Sequence, residues 1–174
     1  MKVHIIYGTD NGNTRNIAEQ IATQIGGKAV DVCSATTADF SDCDLLILGA
    51  PTSGYGDLQV DWECRLSFIA EAGLAGRKVA LFGLGDQMSY CDTFVDALGV
   101  LYDAVVGQGA TVIGATDKAG YDFYSSAALR DDKIVGLAID EDNQHERTEA
   151  RIAAWVASLQ AEMGAAELAA AEAA

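Results

Sequence analysis

The sequence predicts an α/β fold, a doubly wound three-layer sandwich around a five-stranded parallel sheet, from three observations. Short apolar strings, "VHIIYG", "DLLILGA", "KVALFGLG", "ATVIGA" and "IVGLAID", recur along the chain, rich in β-branched residues and bounded by Gly, Asp or Pro. They are continuous rather than alternating, which suits strands covered on both faces. Apolar residues at helical spacing fill the stretches between them, and strand alternating with helix in this number makes a doubly wound sheet.

Each element follows in order. After the first string, Ile17, Ile21 and Ile25 at spacing four mark a helix, and "AVDVC", Ala29 to Cys33, is a weaker strand suited to an edge. "DLLILGA" is followed by a helix from Trp62 to Ala72, and "KVALFGLG" by one carrying Phe94, Leu98, Leu101 and Val105. After "ATVIGA" come turn-prone polar residues, "TDKAGYDFYSSAALRDDK", longer than an ordinary connection of this kind. This reads as an insertion at about 116–133, interrupting the last strand before "IVGLAID". Ile152, Trp155, Val156 and Leu159 mark the final helix. One domain over residues 1–163 is expected, with an Ala/Glu-rich tail at 164–174 that allows helix but invites fraying.

The 26 acidic residues against 11 basic ones give a formal charge of -15, which argues against nucleic acid or an anionic membrane as partner and for basic docking proteins. No apolar run approaches the roughly 18 residues of a membrane span, and Met1 to Tyr7 is too short for a signal peptide, so a cytoplasmic location is expected. Cys33, Cys43, Cys64 and Cys91 show no CxxC spacing. They suggest no zinc or dithiol motif and read as inert thiols of the kind proteins usually bury. His4 and His145 have no nucleophile or metal-ligand partner nearby in sequence, and Trp62 and Trp155 read as core.

Parallel-sheet proteins bind ligands beyond the carboxyl ends of their strands. Three loops stand there. "GTDNGNT" offers the hydroxyls of Thr9 and Thr14, the amides of Asn11 and Asn13, and Gly12 at a sharp bend, all just before a helix N-terminus. A capped helix start is the plain reading; a phosphate site is the functional one. "APTSGYGDLQVDWE" and "GLGDQMSYCDTF" each carry a tyrosine, Tyr55 and Tyr90, in a glycine-bearing loop. With a phosphate site beside them these offer flat surfaces for an aromatic ring, the pocket of a flavin mononucleotide (FMN). Neither GxxxxGK[ST] nor GxGxxG is present in the first loop, which disfavours a nucleoside triphosphate or a dinucleotide.

"GTDNGNT", "PTSGYGDLQVDWE", "GLGDQMSYCDTFVDALG" and "VGLAIDEDNQ" resemble the successive signature loops of flavodoxins, from about Val3 to Met163, and the insertion is similar to that of the long-chain type. The resemblance implies the flavodoxin-like strand order 2-1-3-4-5. It implies FMN with its phosphate at Thr9, Asp10, Asn11, Gly12, Asn13 and Thr14, the ring's inner face and N5 edge at Thr52, Ser53, Gly54 and Tyr55, the outer stacking tyrosine and the pyrimidine-edge contacts at Leu84, Gly85, Asp86 and Tyr90, and the ribityl chain near Asp142. The Gly54–Tyr55 peptide would rotate when the ring is reduced. Two positions depart from many relatives: Asn11 stands where they carry Thr, and Ser53 where a Trp packs on the ring, leaving Tyr90 or Leu58 to supply that surface. Arg15 could neutralise the phosphate or point to water. Asp57, Asp61, Glu63, Asp86 and Asp92 would ring the exposed flavin edge.

The function so implied is a low-potential one-electron carrier, not an enzyme, since the redox chemistry resides in FMN. Its partners would be basic proteins such as a ferredoxin/flavodoxin-NADP reductase and a low-potential acceptor such as nitrogenase reductase, met by a monomer. An FMN-dependent quinone reductase on the same fold is the rival, although the chain offers no evident basic group for a nicotinamide phosphate. A response regulator would need a phosphorylatable Asp where Ala50, Pro51 and Thr52 follow "LLILG".

Overall fold

The computed structural model describes residues 1–172, with side chains through residue 164. Strand β1 (Val3–Tyr7) leads into α1 (Asn13–Ile25), β2 (Lys28–Asp31), α2 (Thr37–Ser41) and β3 (Leu45–Ser53). Then come β4 (Asp57–Leu58), α3 (Val60–Glu71), β5 (Lys78–Leu84), α4 (Asp96–Gly107) and β6 (Thr111–Ile113). Three two-residue strands follow, β7 (Thr116–Asp117), β8 (Leu129–Arg130) and β9 (Lys133–Ile134), before β10 (Leu137–Ile139), α5 (Glu141–Gln144), a 3₁₀ turn (His145–Arg147) and α6 (Thr148–Glu172).

The main sheet runs β2-β1-β3-β5, and β5 is flanked by two collinear pieces of a fifth strand. β6 pairs with Lys78–Ala80 of β5 and β10 with Phe82–Leu84, all parallel. This is the order 2-1-3-4-5 with its last strand interrupted. Residues of the interruption form a small antiparallel sheet, β7-β9-β8. "IVGLAID" is therefore not one strand: Ile134 pairs within the small sheet and Leu137–Ile139 within the large one. Gly136 sits between them because a Cβ there would lie 2.1 Å from the Leu81 carbonyl oxygen.

Alternation along the strands feeds two cores. Ile6, Leu46, Leu48, Val79 and Leu81 face α3 and α4, packing on Trp62, Ile69, Leu98, Leu101 and Val105. Ile5, Tyr7, Leu45, Ile47 and Phe82 face α1 and α6, packing on Ile17, Ile21, Ile152, Trp155 and Leu159. The two tryptophans are core residues, and each indole N–H donates to a backbone carbonyl, Trp62 to Gly49 and Trp155 to Gly114. Such burial of both sheet faces fixes the strand ends, and with them the loops, in place.

Some expectations need correction. Helix α2 is absent from the hydrophobic periodicity because five residues are too few to show one; a Thr36–Asp39 capping box starts it. Phe94 precedes α4 rather than lying in it, and β2 stops at Asp31. None of the four cysteines is fully buried, and Cys33 and Cys64 are exposed. Cys33 is nonetheless a poor nucleophile, since its bond to the Asp61 carboxylate, with some burial, pushes the thiol up to about 11. α6 is helical to Glu172; the fraying expected of 164–174 falls largely on side chains, and on residues 173–174, outside those described.

Candidate functional site

At the carboxyl ends of β1, β3 and β5 the three loops and the start of α5 enclose one cavity of about 360 Å³, within the ordinary range for small-molecule sites. It is lined by Thr9, Asp10, Asn11, Asn13 and Thr14 from the first loop, Pro51, Thr52, Ser53 and Gly54 from the second, Leu84, Gly85, Asp86 and Tyr90 from the third, and Glu141 and Asp142 from α5. Every residue expected at the site lines it except Gly12 and Tyr55. Pro51 and Glu141 are the additions. Both adjoin residues already singled out, and neither has side-chain chemistry that marks it from sequence.

The first loop owes its shape to Gly12, the N-cap of α1, held at φ 89°. An L residue rarely adopts this conformation. The Gly12 N–H donates to Thr9 Oγ1 at 3.0 Å and its carbonyl accepts from Asn16 N–H at 3.0 Å. No side chain caps the helix and its first turn carries no acid. The first-turn N–H groups of α1 therefore remain available where the helix dipole is positive. Thr14 is buried yet lines the cavity. Arg15 turns away, its Nε donating to Tyr7 Oη at 3.3 Å and its Nη2 reaching Asp31 at 3.5 Å.

The second loop is a tight turn in which Gly56 N–H donates to the Ser53 carbonyl at 3.2 Å, with Gly54 at φ 51°. Tyr55 is 86% exposed and touches Tyr90 edge-on, with ring centroids 6.1 Å apart. Leu58 does not supply the surface that Ser53 lacks; β4 turns it into the core with Trp62. The wall therefore rests on Tyr90. Gln59, which sequence reading missed, is almost wholly buried and ties the first two loops together. Its Nε2 donates to Asp10 Oδ1 at 3.0 Å and to Asp61 at 2.6 Å, while its Oε1 caps α3 by accepting from Asp61 and Trp62 N–H. Gly8 leaves room for it, since a Cβ there would lie 2.5 Å from Gln59 Oε1. A Gln just ahead of an acidic and an aromatic residue at a helix start was the available signal.

The third loop and α5 carry the charge. Burial tends to raise Asp86, but hydrogen bonds from Ser89, Asn143 and Met88 hold it below the usual carboxylate range. Asp142 goes the other way, pushed up by burial and by the neighbouring Asp86, Asp140 and Glu141. Of the five acids expected to ring the exposed flavin edge, only Asp86 lines the cavity; Asp61 is engaged by Gln59. No group of three or more acids, histidines or cysteines is placed to hold a metal among the described residues. Nor, among them, is any helix long and apolar enough to cross a membrane.

A sequence model described as flavodoxin matches residues 5–155, and a flavodoxin of Synechocystis is 44% identical over 162 residues, covering 91% of this chain and 95% of the relative. The chain belongs to the flavodoxin family. Flavodoxin 1 of Salmonella typhimurium is 44% identical over 163 residues, 91% of this chain and 93% of that one. Among solved structures, a Fusobacterium nucleatum flavodoxin bound to flavin mononucleotide superposes with a TM-score of 0.87 at 30% identity, over 92% of this chain and 98% of that chain. The sheet order, the interrupted fifth strand and the cavity at the strand ends are thus features of a flavodoxin fold.

Proposed function

We propose that this cavity holds FMN noncovalently and that the chain is a low-potential one-electron carrier between a reductase and acceptor enzymes. The observation that carries this reading is the union of two features in one cavity: an uncapped α1 N-terminus, free of acids in its first turn, and an aromatic wall at Tyr90. The first fits a phosphate monoester and the second a planar ring. A Cβ at Gly12 would meet nothing within 4 Å, so it is the left-handed bend and not packing that calls for glycine there.

Thr9, Asp10, Asn11, Gly12, Asn13 and Thr14 would hold the phosphate, mainly by backbone N–H groups. Thr52, Ser53, Gly54 and Tyr55 would border the ring's inner face, Leu84, Gly85, Asp86 and Tyr90 its outer face and pyrimidine edge, and Asp142 the ribityl chain. FMN supplies the capacity to take and give electrons one at a time. The protein binds, orients, and sets the local field: its formal charge of -15, with Asp86, Glu141 and Asp142 lining the cavity, disfavours added negative charge there.

The same field favours basic partners, a ferredoxin/flavodoxin-NADP reductase as donor and a low-potential acceptor such as nitrogenase reductase, approached by a cytoplasmic monomer. Titration of the apoprotein with FMN and riboflavin tests the site, with FMN expected to bind the tighter. The function is tested by mixing the loaded protein with NADPH and a quinone. Absence of turnover, with electron transfer restored by an added reductase, supports the carrier; direct turnover would instead make the chain a quinone reductase.

A further inference from the structure

Asp140 has no exposed surface, and no cation pairs with it among the described residues. Its carboxylate is held by N–H groups alone. Oδ2 accepts from Gln87 N–H at 3.1 Å and from Gln87 Nε2 at 2.7 Å, and Oδ1 accepts from Asn143 N–H at 3.0 Å. Asn143 Nδ2 lies 3.0 Å from both oxygens and also donates to Asp86 Oδ1 at 2.8 Å. Gln87, 2% exposed, uses its remaining acceptor on the insertion, where Asp122 N–H reaches its Oε1 at 2.5 Å.

A buried carboxylate without a counterion persists only when its lone pairs are occupied. Here the donors come from two segments far apart in sequence, so occupying them fixes where those segments sit. Gln87 immediately follows Asp86 and lies three residues before Tyr90, whose N–H donates to the Asp86 carbonyl at 3.0 Å. The insertion is held at the same place from its other side, with Tyr121 Oη donating to the Ala138 carbonyl at 2.6 Å. Gln87 is thus the joint between insertion, third loop and the end of β10.

We propose that Asp140 is the positioning residue of the cavity's third-loop wall: through Gln87 it sets Asp86 and Tyr90 against the ring and locks that wall to the insertion. The proposal rests on the FMN reading above. Asp140 does not line the cavity and acts through the loop. Its polarity is what matters, because Asn in its place would turn an N–H₂ donor toward donors from Gln87 or Asn143.

The test exchanges amide and carboxylate. In holoprotein, Asp140→Asn should weaken FMN and riboflavin alike, on the order of tenfold, as expected when buried donors lose their acceptor. It should also alter the visible circular dichroism of the bound flavin. The double variant Asp140→Asn with Gln87→Glu restores donor facing acceptor between the two side chains, keeps the net charge and still leaves an acceptor for Asp122 N–H, although the backbone N–H of residue 87 still loses its acceptor. It should recover part of the affinity lost by Asp140→Asn and bring the spectrum back toward that of the wild type. Should Asp140→Asn not fold, Gln87→Met, which loses Nε2 and Oε1 but keeps the backbone donor, carries the same expectation of equal losses and an altered spectrum. Variants that only lower the melting temperature, with affinity and flavin spectrum unchanged, would overturn the proposal, as would loss of FMN binding with riboflavin binding retained. Failure of the wild-type protein to bind FMN would overturn both this and the reading it rests on.

Discussion

At the α1 end of the cavity the donors belong to one continuous stretch, Thr9 to Thr14, whereas the opposite wall is held by side chains whose partners lie 53 and 57 positions away. The first end is made of backbone: an uncapped helix start, a left-handed glycine and a short Thr9–Gly12 link. The second is made of side chains that satisfy one another around Asp140. Backbone N–H groups tolerate many side-chain changes so long as the bend survives, whereas a side-chain network fails at any member. The phosphate end should therefore yield to backbone substitutions and the ring end to polar ones.

Gln59 is the strongest challenge to that division, because it joins the first loop to the second by side-chain bonds. Gln59→Leu would strip Asp10 of a donor and leave Asp61 and Trp62 N–H without their cap. A loss of about 1–3 kcal/mol in folding stability is expected, the range for buried polar groups left unsatisfied. Chemical denaturation of the apoprotein measures it. FMN affinity should fall with it; unaltered affinity in a destabilised protein would mean that the α1 end stands alone.

Gly12→Val probes the backbone end directly. At φ 89° a β-branched residue costs about 1–3 kcal/mol. Since a Cβ there meets nothing, the cost falls on the bend rather than on packing. FMN should weaken more than riboflavin, in calorimetric titration of both. Equal losses would place the phosphate elsewhere and remove the contrast between the two ends.

The same contrast explains what the sequence disclosed. The first loop could be read because its chemistry lies in seven neighbouring letters, "GTDNGNT", ahead of a helix with apolar residues every four positions. The sheet could be read because burial on both faces leaves an uninterrupted apolar string. The Gln87–Asp140–Asn143 assembly could not: no pattern in "GLGDQMSY" announces that its Gln will meet an Asp beyond the insertion. Leu58 and Ile134 were misplaced for a related reason. Each is apolar in a short segment, and only tertiary pairing, in β4 or in the small antiparallel sheet, decides which way it faces.

Gly54→Ala bears on the second loop, which stands between the two ends. The left-handed φ of 51° costs alanine about 1 kcal/mol, and its Cβ would lie 2.7 Å from Asp57 Oδ2, at the end of a side chain that can move. Alanine lacks glycine's freedom to take up either sign of φ, so rotation of the turn becomes costlier, and the two one-electron midpoint potentials of the holoprotein should move closer together. Potentiometric titration reads the separation; an unchanged value would assign the turn no part in setting it.

The smallest effects are expected from the two acids of the third-loop wall, and their signs oppose. Asp86 sits below the usual carboxylate range, so its ionised form favours the folded protein. That stability is present above the unfolded-state value and is lost as pH falls through the lower folded value. Asp142 sits above the range, so its ionised form opposes folding: the penalty is full above the raised folded value, shrinks as pH falls through that value, and is gone below the unfolded-state value. At pH 7 Asp142→Asn should therefore stabilise the apoprotein by a few tenths of a kcal/mol once solvent screening is allowed for, while Asp86→Asn should destabilise it. The Asp142→Asn gain should shrink to nothing below the ordinary carboxylate range. The Asp86→Asn loss should persist to lower pH before it vanishes. Denaturation midpoints across pH 2–7 would show both slopes, and two variants moving in the same direction would mean that Asn143 does not separate the two carboxylates as its bond to Asp86 implies.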